Sequence, residues 1–266
     1  MASRKEQKER ARQERLAREA ERAAAARRRR LMELGGGGVL VVIVAAVVAV
    51  LALGNSGNSS ASQQLSKLGS TPQLKLASLS TLGTLQPVTT KTTLGPEGIP
   101  IPQAPVLAGT SAMATGSTVD GIGCLGQEQT LFHIHAHLTI YVNGSARQIP
   151  YGVGITGAQA ESTPEGPFVA SGNCYYWLHT HAADGIIHIE SPLQRTYTLG
   201  DFFDIWGQRL DRTHIGPVTG AVTAIYNGQL YQGNPRNIPL NAHAQIQLEV
   251  GRPLVAPFRL TSFASL

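Results

Sequence analysis

Several familiar signatures are missing from this chain of 266 residues. It has no GxSxG nucleophile elbow, no HExxH helix, no P-loop and no glycine fingerprint of a dinucleotide fold. The common hydrolase and nucleotide-binding chemistries therefore have no local motif to rest on. Positive charge is missing from most of the chain, despite a formal net charge of +5. Met1 to Leu34 carry twelve Lys/Arg against six Asp/Glu, and everything after them carries ten against eleven. A nucleic-acid-binding domain needs its basic residues on a folded face, so that class is excluded and no nucleic-acid partner is expected. Sulfur is scarce: the two cysteines, Cys124 and Cys174, read as one disulfide pair if the domain lies outside the cytoplasm. A Cys–His copper site would instead require a free thiolate there.

Charge is absent altogether from "LGGGGVLVVIVAAVVAVLALG", Leu34 to Gly54. At ~1.5 Å per residue, a helix of ~20 residues crosses a ~30 Å hydrocarbon core. Residues 35–54 are thus expected to form a single transmembrane helix. The charged stretch before it is longer than a secretory n-region, which favours an uncleaved anchor over cleavage near Ala52 to Gly54. "RRRRLMEL" ahead of the span places the N-terminus in the cytoplasm and the rest outside. Residues 1–34 form a charged tail with Glu6/Arg10 and Glu14/Arg18 at i,i+4 spacing and almost no apolar stripe. Such a tail reads as a solvated helix whose arginines lean on anionic lipid. Membrane lipid is the partner this region implies; an envelope protein partner stays unassigned.

Residues 55–118 lack any aromatic residue and are rich in Ser, Thr, Gly, Gln and Pro. With "GPEGIPIPQAP" favouring extended backbone, this segment reads as a stalk. Residues 119–266 follow as an extracytoplasmic domain of ordinary single-domain size.

The signals in that domain are mostly β. In Phe132 to Val142 the even residues (Phe132, Ile134, Ala136, Leu138, Ile140, Val142) are apolar, and the odd ones are His133, His135, His137, Thr139 and Tyr141. Strict period two marks a strand with one buried face. Asn143-Gly144 and Asn227-Gly228 each supply a type I′ hairpin turn. "TLGDFFDIWG" predicts one helix, with Leu199, Phe202, Phe203 and Trp206 on one stripe, Thr198 and Asp201 capping it and Gly207 ending it. The expected fold class is mostly β: antiparallel hairpins forming a small sheet, sandwich or barrel, with one short packed helix, preceded by the transmembrane helix.

Six of the eight histidines fall in two runs. His133, His135 and His137 share a strand face, where neighbours two apart lie ~6.5–7 Å apart at Cα. That spacing allows two imidazoles to meet one ion at ~2.0–2.1 Å. In "NCYYWLHTHAADGIIHIES", His179 and His181 lie on one strand and His188 and Glu190 on the returning one. A four-residue loop sets His179 opposite His188, and a two-residue Asp-Gly loop sets His181 opposite His188. Both registers keep all four side chains on one face. His133, His135, His137, His179, His181 and His188 are therefore the candidate metal ligands, for a copper or zinc ion on imidazole preference. A Cys124–Cys174 disulfide would tie together the starts of both hairpins. Glu190 is the candidate general base for a metal-bound water, should the domain be an enzyme. His214 and His243 stand alone and read as loop or strand-edge residues.

The run "VDGIGC…FHIHAHLTIYVNG…IPYGVGI…CYYWLHTHAADGIIHIESP…YTLGDFFDIWG" resembles an uncharacterised family of membrane-tethered bacterial extracytoplasmic proteins. The resemblance covers Val119 to about Leu210 and implies that the two histidine runs act as a unit; it carries no catalytic residue over. Where relatives read HTHD this chain has Ala182, so no carboxylate stands there. The function these features favour is a membrane-anchored, extracytoplasmic metal-binding protein. The alternatives are an envelope interaction or structural module without metal, and a small His-ligated metalloenzyme.

Overall fold

A computed structural model describes residues 74–264 and residue 266, all within one compact unit. The tail of residues 1–34, the anchor expected at 35–54 and residues 55–73 lie outside the described residues. Among the described residues no helix is long and apolar enough to cross a membrane.

The alternating segment forms the longest strand, Phe132–Val142, in an eight-stranded sheet. In chain order the sheet strands are β1 (Leu76–Ala77), β2 (Phe132–Val142), β3 (Ser145–Arg147), β4 (Leu178–His179), β5 (Ile186–Ser191), β6 (Val222–Tyr226), β7 (Gln229–Tyr231) and β8 (Gln245–Val250). They lie in the order β1-β7-β6-β8-β2-β5-β4, with β3 paired to β2. Every pair is antiparallel except β2 with β8, which run parallel. The hairpin expectation thus holds for most of the sheet, and the parallel pair departs from it. Both Asn-Gly turns have the positive φ that a type I′ turn requires, 50° and 74° at Asn143-Gly144 and 50° and 79° at Asn227-Gly228.

Period two decides what each face does. Ala136, Leu138 and Ile140 of β2, Ile187 and Ile189 of β5, and Ile246 and Leu248 of β8 make one continuous apolar face. The helix α1 (Leu199–Trp206) packs in the same core through Leu199, Phe202, Phe203 and Trp206. Burying aromatic and aliphatic side chains stabilises by roughly 1.5–3 kcal/mol each, which is what holds this short helix down. Its ends follow the sequence: Thr198 and Asp201 form a reciprocal capping box, and Gly207 closes the helix at φ 69°.

Cys124 and Cys174 are disulfide-bonded, closing a sequence separation of 50. In the loop-entropy model a loop of that length is worth ~4 kcal/mol.

The domain boundary expected at Val119 falls too late. Leu76 and Ala77 pair with Tyr231 and Leu230, Ile99 is fully buried, and Gly109 accepts a hydrogen bond from Trp206 Nε1 at 3.0 Å. The described part of the supposed stalk belongs to the folded unit. Its apolar residues show no periodic face. Ile99, Ile101 and Leu107 are buried while Leu94 and Val106 stay exposed, and extended proline-rich backbone suits such a wrapping path.

Candidate metal centre

The opposite face of the sheet carries the histidines, and strand register brings them together. His188 on β5 lies opposite His135 on β2, and Glu190 lies opposite His133. On the other side of β5, His179 lies opposite His188. Of the two registers open to this hairpin, the one with the four-residue loop is adopted. Gly185 makes that loop feasible: its φ is 85°, and a side chain there would strike the Leu138 carbonyl. The loop is pinned to β2 by Leu138 N–H donating to Gly185 O at 2.9 Å.

Four donor atoms close into a ring. His133 Nε2 lies 3.0 Å from His135 Nε2, and His135 Nε2 lies 3.1 Å from His188 Nδ1. His188 Nδ1 lies 3.4 Å from Glu190 Oε1, which returns to His133 Nε2 at 3.1 Å. Ligands held ~2.0–2.1 Å from one ion are ~2.9 Å apart at right angles and ~3.3–3.4 Å apart in a tetrahedron. The ring edges fall in that interval. Three imidazoles and one carboxylate are also a donor set that zinc and copper accept.

Behind the ring, His188 Nε2 donates to Glu97 Oε1 at 2.8 Å. A carboxylate behind a ligating histidine is the arrangement that orients an imidazole toward a metal and raises its basicity. Beside the ring sit His179 and His181, with Nε2 atoms 3.1 Å apart. The Nδ1–H groups of both donate to backbone carbonyls, those of Tyr176 and Val169. In a neutral ring this leaves both Nε2 lone pairs directed at the same space, and only a positive centre makes that favourable. Among the described residues the groups that could hold a metal ion are His133, His135, His188 with Glu190, and His179, His181, His188 with Glu190; all but His133 are buried.

Burial and neighbouring charge tune these groups in opposite directions. Burial, reinforced by His188, drives the His135 pKa down to about 3. Burial also holds the His179 pKa well below the ordinary histidine range, again with help from His188. Burial also opposes a charge on His188, yet Glu190 and Glu97 outweigh it and push that pKa up to about 9. Glu97 is buried, which would raise its pKa, but its bond to His188 prevails and holds it low. Asp184 is pushed up to about 8, by burial and then by Glu97 beside it. Of His135, His179 and His188, His188 is the one whose pKa is raised, to about 9, and a metal ion would compete with its proton for Nδ1.

The expected ligand His137 is not part of the cluster. It shares the face, but lies one strand repeat further along, against the Phe258 ring and with Nε2–H donating to Asp184 O at 3.0 Å. Burial drives its pKa down to about 4, as for a satisfied core histidine. Glu190, expected as a general base, instead occupies a corner of the donor ring. Of the two lone histidines, His214 pairs with Asp211 at 3.1 Å, and His243 stacks on Phe263 at the edge of the site. The sequence reading missed Glu97 and Glu128, the latter 3.3 Å from His181 Nε2. One signal marked Glu97: it is the single acidic residue of residues 55–118.

The cluster opens to solvent through a cleft of ≈ 710 Å³, lined by Pro96, Glu128, His133, Phe168, His181 and His243 among others. His133 is 42% exposed at its mouth, His135, His181 and His188 line the cleft further in, and His179 lies fully buried beside His181. Ions and small ligands can therefore enter from one side. Comparison with models of known protein families, with curated proteins and with solved structures finds no match for this chain.

Proposed function

We propose that this chain is a membrane-anchored, extracytoplasmic metal-binding protein that takes copper or zinc through the cleft histidines. The observation that carries the reading is the ring of His133 Nε2, His135 Nε2, His188 Nδ1 and Glu190 Oε1, with edges of 3.0–3.4 Å. The edges span the interval from the right-angle value of ~2.9 Å to the tetrahedral ~3.3–3.4 Å, so the ring suits copper and zinc alike. The anchor and the outward orientation rest on the uncharged span from Leu34 to Gly54 and the arginines before it. The sequence resemblance to membrane-tethered bacterial extracytoplasmic proteins supports the same placement. Binding is favoured over catalysis because Glu190 serves as a donor and so is not free to act as a base.

The test is metal analysis of the purified full-length chain, before and after equilibration with copper and zinc. Metal retained by the wild type and reduced in His135→Ala is the expected result. A chain that takes up neither metal is an envelope module whose cluster is held by the His188–Glu97 ion pair, and the metal reading fails.

A further inference from the structure

The four-donor ring leaves His179 and His181 unused, although they carry the strongest marks of ligands. Their Nδ1–H groups are tied to the carbonyls of Tyr176 and Val169, and their Nε2 atoms sit 3.1 Å apart. Such ties fix the tautomer in which Nε2 is free to bind a metal. Both residues are buried, so water does not satisfy those atoms from all sides.

One ion cannot serve both pairs. Two ligands of one ion at ~2.0–2.1 Å lie no more than ~4.2 Å apart. Among the described residues, no set with all its donor atoms within 4.8 Å contains members of both the His133/His135 pair and the His179/His181 pair. Two such sets exist instead, and they share His188 and Glu190. His188 directs Nδ1 at the ring and Nε2 at Glu97, so within these contacts both its nitrogens are engaged. Glu190 is not similarly engaged: Oε1 sits in the ring, while Oε2 is buried with no hydrogen-bond partner. A buried carboxylate oxygen without a partner carries a desolvation penalty, which a cation would offset.

On the reading above that the cleft binds metal, we propose that it holds two ions. The first sits in the ring of His133, His135, His188 and Glu190. The second sits on His179 Nε2 and His181 Nε2, with the Glu190 carboxylate bridging the two. Paired ions in two-metal sites stand ~3.5–4 Å apart and repel each other, so they need negative charge close by. Glu190 supplies it between them. Glu97 supplies it behind His188, and Glu128 Oε1 supplies it 3.3 Å from His181 Nε2 at the mouth.

The test is copper stoichiometry and electron paramagnetic resonance of the full-length chain, stripped with a chelator and reloaded with copper(II). Two coppers per chain with a spin-coupled signal are expected for the wild type. One copper with an ordinary isolated signal is expected for His181→Gln and also for His133→Ala, a substitution at an exposed position that spares the core. Circular dichroism confirms that each variant is folded, and the wild-type spectrum needs no variant at all. Saturation of the wild type at one copper overturns the two-ion centre while leaving metal binding intact. Two coppers with uncoupled signals overturn it as well, because the second ion then lies elsewhere. A wild type that binds no copper and no zinc overturns the metal reading itself.

Discussion

At the β8 end of the polar sheet face, Gln245, Gln247 and Glu249 are buried or nearly so, and each makes hydrogen bonds to the C-terminal segment or to one another. Leu260 N–H donates to Gln245 Oε1, Phe258 N–H to Gln247 Oε1 and Val255 N–H to Glu249 Oε2, at 2.8–3.0 Å. Gln247 Nε2 bonds Glu249 Oε1 and the Val255 carbonyl. At the β5 end of the same face, His133, His135, His188 and Glu190 bring nitrogen and oxygen lone pairs toward one another. Glu190 Oε2 there has no partner. Polarity at the first end holds chain to chain, and polarity at the second converges on a point that chain does not fill. Buried polar groups without protein partners are uncommon and call for a specific explanation. That contrast, more than the number of histidines, marks the second end as the candidate metal site.

The contrast can be broken from either end. Deleting residues 254–266 removes the buried side chains of Leu254, Val255, Leu260 and Phe263 and strands the β8 ladder. A loss of about 5 kcal/mol or more is expected, measured by urea unfolding of the full-length chain. An unchanged midpoint would mean the segment does not hold the sheet.

Acid should attack the histidine end. His137, with a folded pKa of about 4, and His135, at about 3, lie below the free value of 6.5. Their contribution is fully present above pH 6.5 and is lost as pH falls through those values. Lowered His179 acts in the same direction. Asp184, raised to about 8, acts the other way, since its contribution is present at low pH and lost as pH rises through 8. His188, raised to about 9, likewise loses its contribution only as pH rises through 9. His135 and His137 against Asp184 leave a net loss of about 3 kcal/mol between pH 6.5 and 4 for the metal-free chain, and His179 deepens it. Thermal melts across that range check it, and stability that rises on acidification would contradict the assignment.

Single substitutions sharpen the comparison. Gln247→Ala should cost about 1–3 kcal/mol, because it leaves Glu249 Oε1 and the Phe258 and Val255 backbone groups without their partner. It should leave metal content unchanged. His135→Ala should do the reverse, lowering metal uptake through loss of the four-donor ring with a smaller loss of metal-free stability. Paired unfolding and metal assays on both variants decide. The smallest effect is expected on the far side of the sheet, where Thr198→Ala removes the cap of α1 and should cost about 1 kcal/mol without altering metal content.

Much of this was readable in the residues. Parity alone separated Ile134, Ala136 and Leu138 from His133, His135 and His137, because a strand alternates its faces without exception. The capping box, the Asn-Gly turns and the cysteine pair were legible because each is local chemistry. Parity did not reveal how far along a face two strands converge, so His137 looked equivalent to His135. Only the register of β5 on β2 tells them apart. Glu97 and Glu128 escaped because they enter the site from segments without periodicity, at places fixed by the whole fold. The same cause hid the packing of Ile99, Leu107 and Gly109, whose partners are tens of residues distant.

The central claim is that position on this face, and not histidine content, creates the metal centre. Calorimetric titration of the chelator-stripped full-length chain with copper(II) tests it through two residues of one strand, two positions apart. Binding that His135→Ala weakens at least 100-fold, and that His137→Ala leaves within a few-fold of wild type, is the result the account predicts. No binding by the wild type, or equal losses in the two variants, would contradict it.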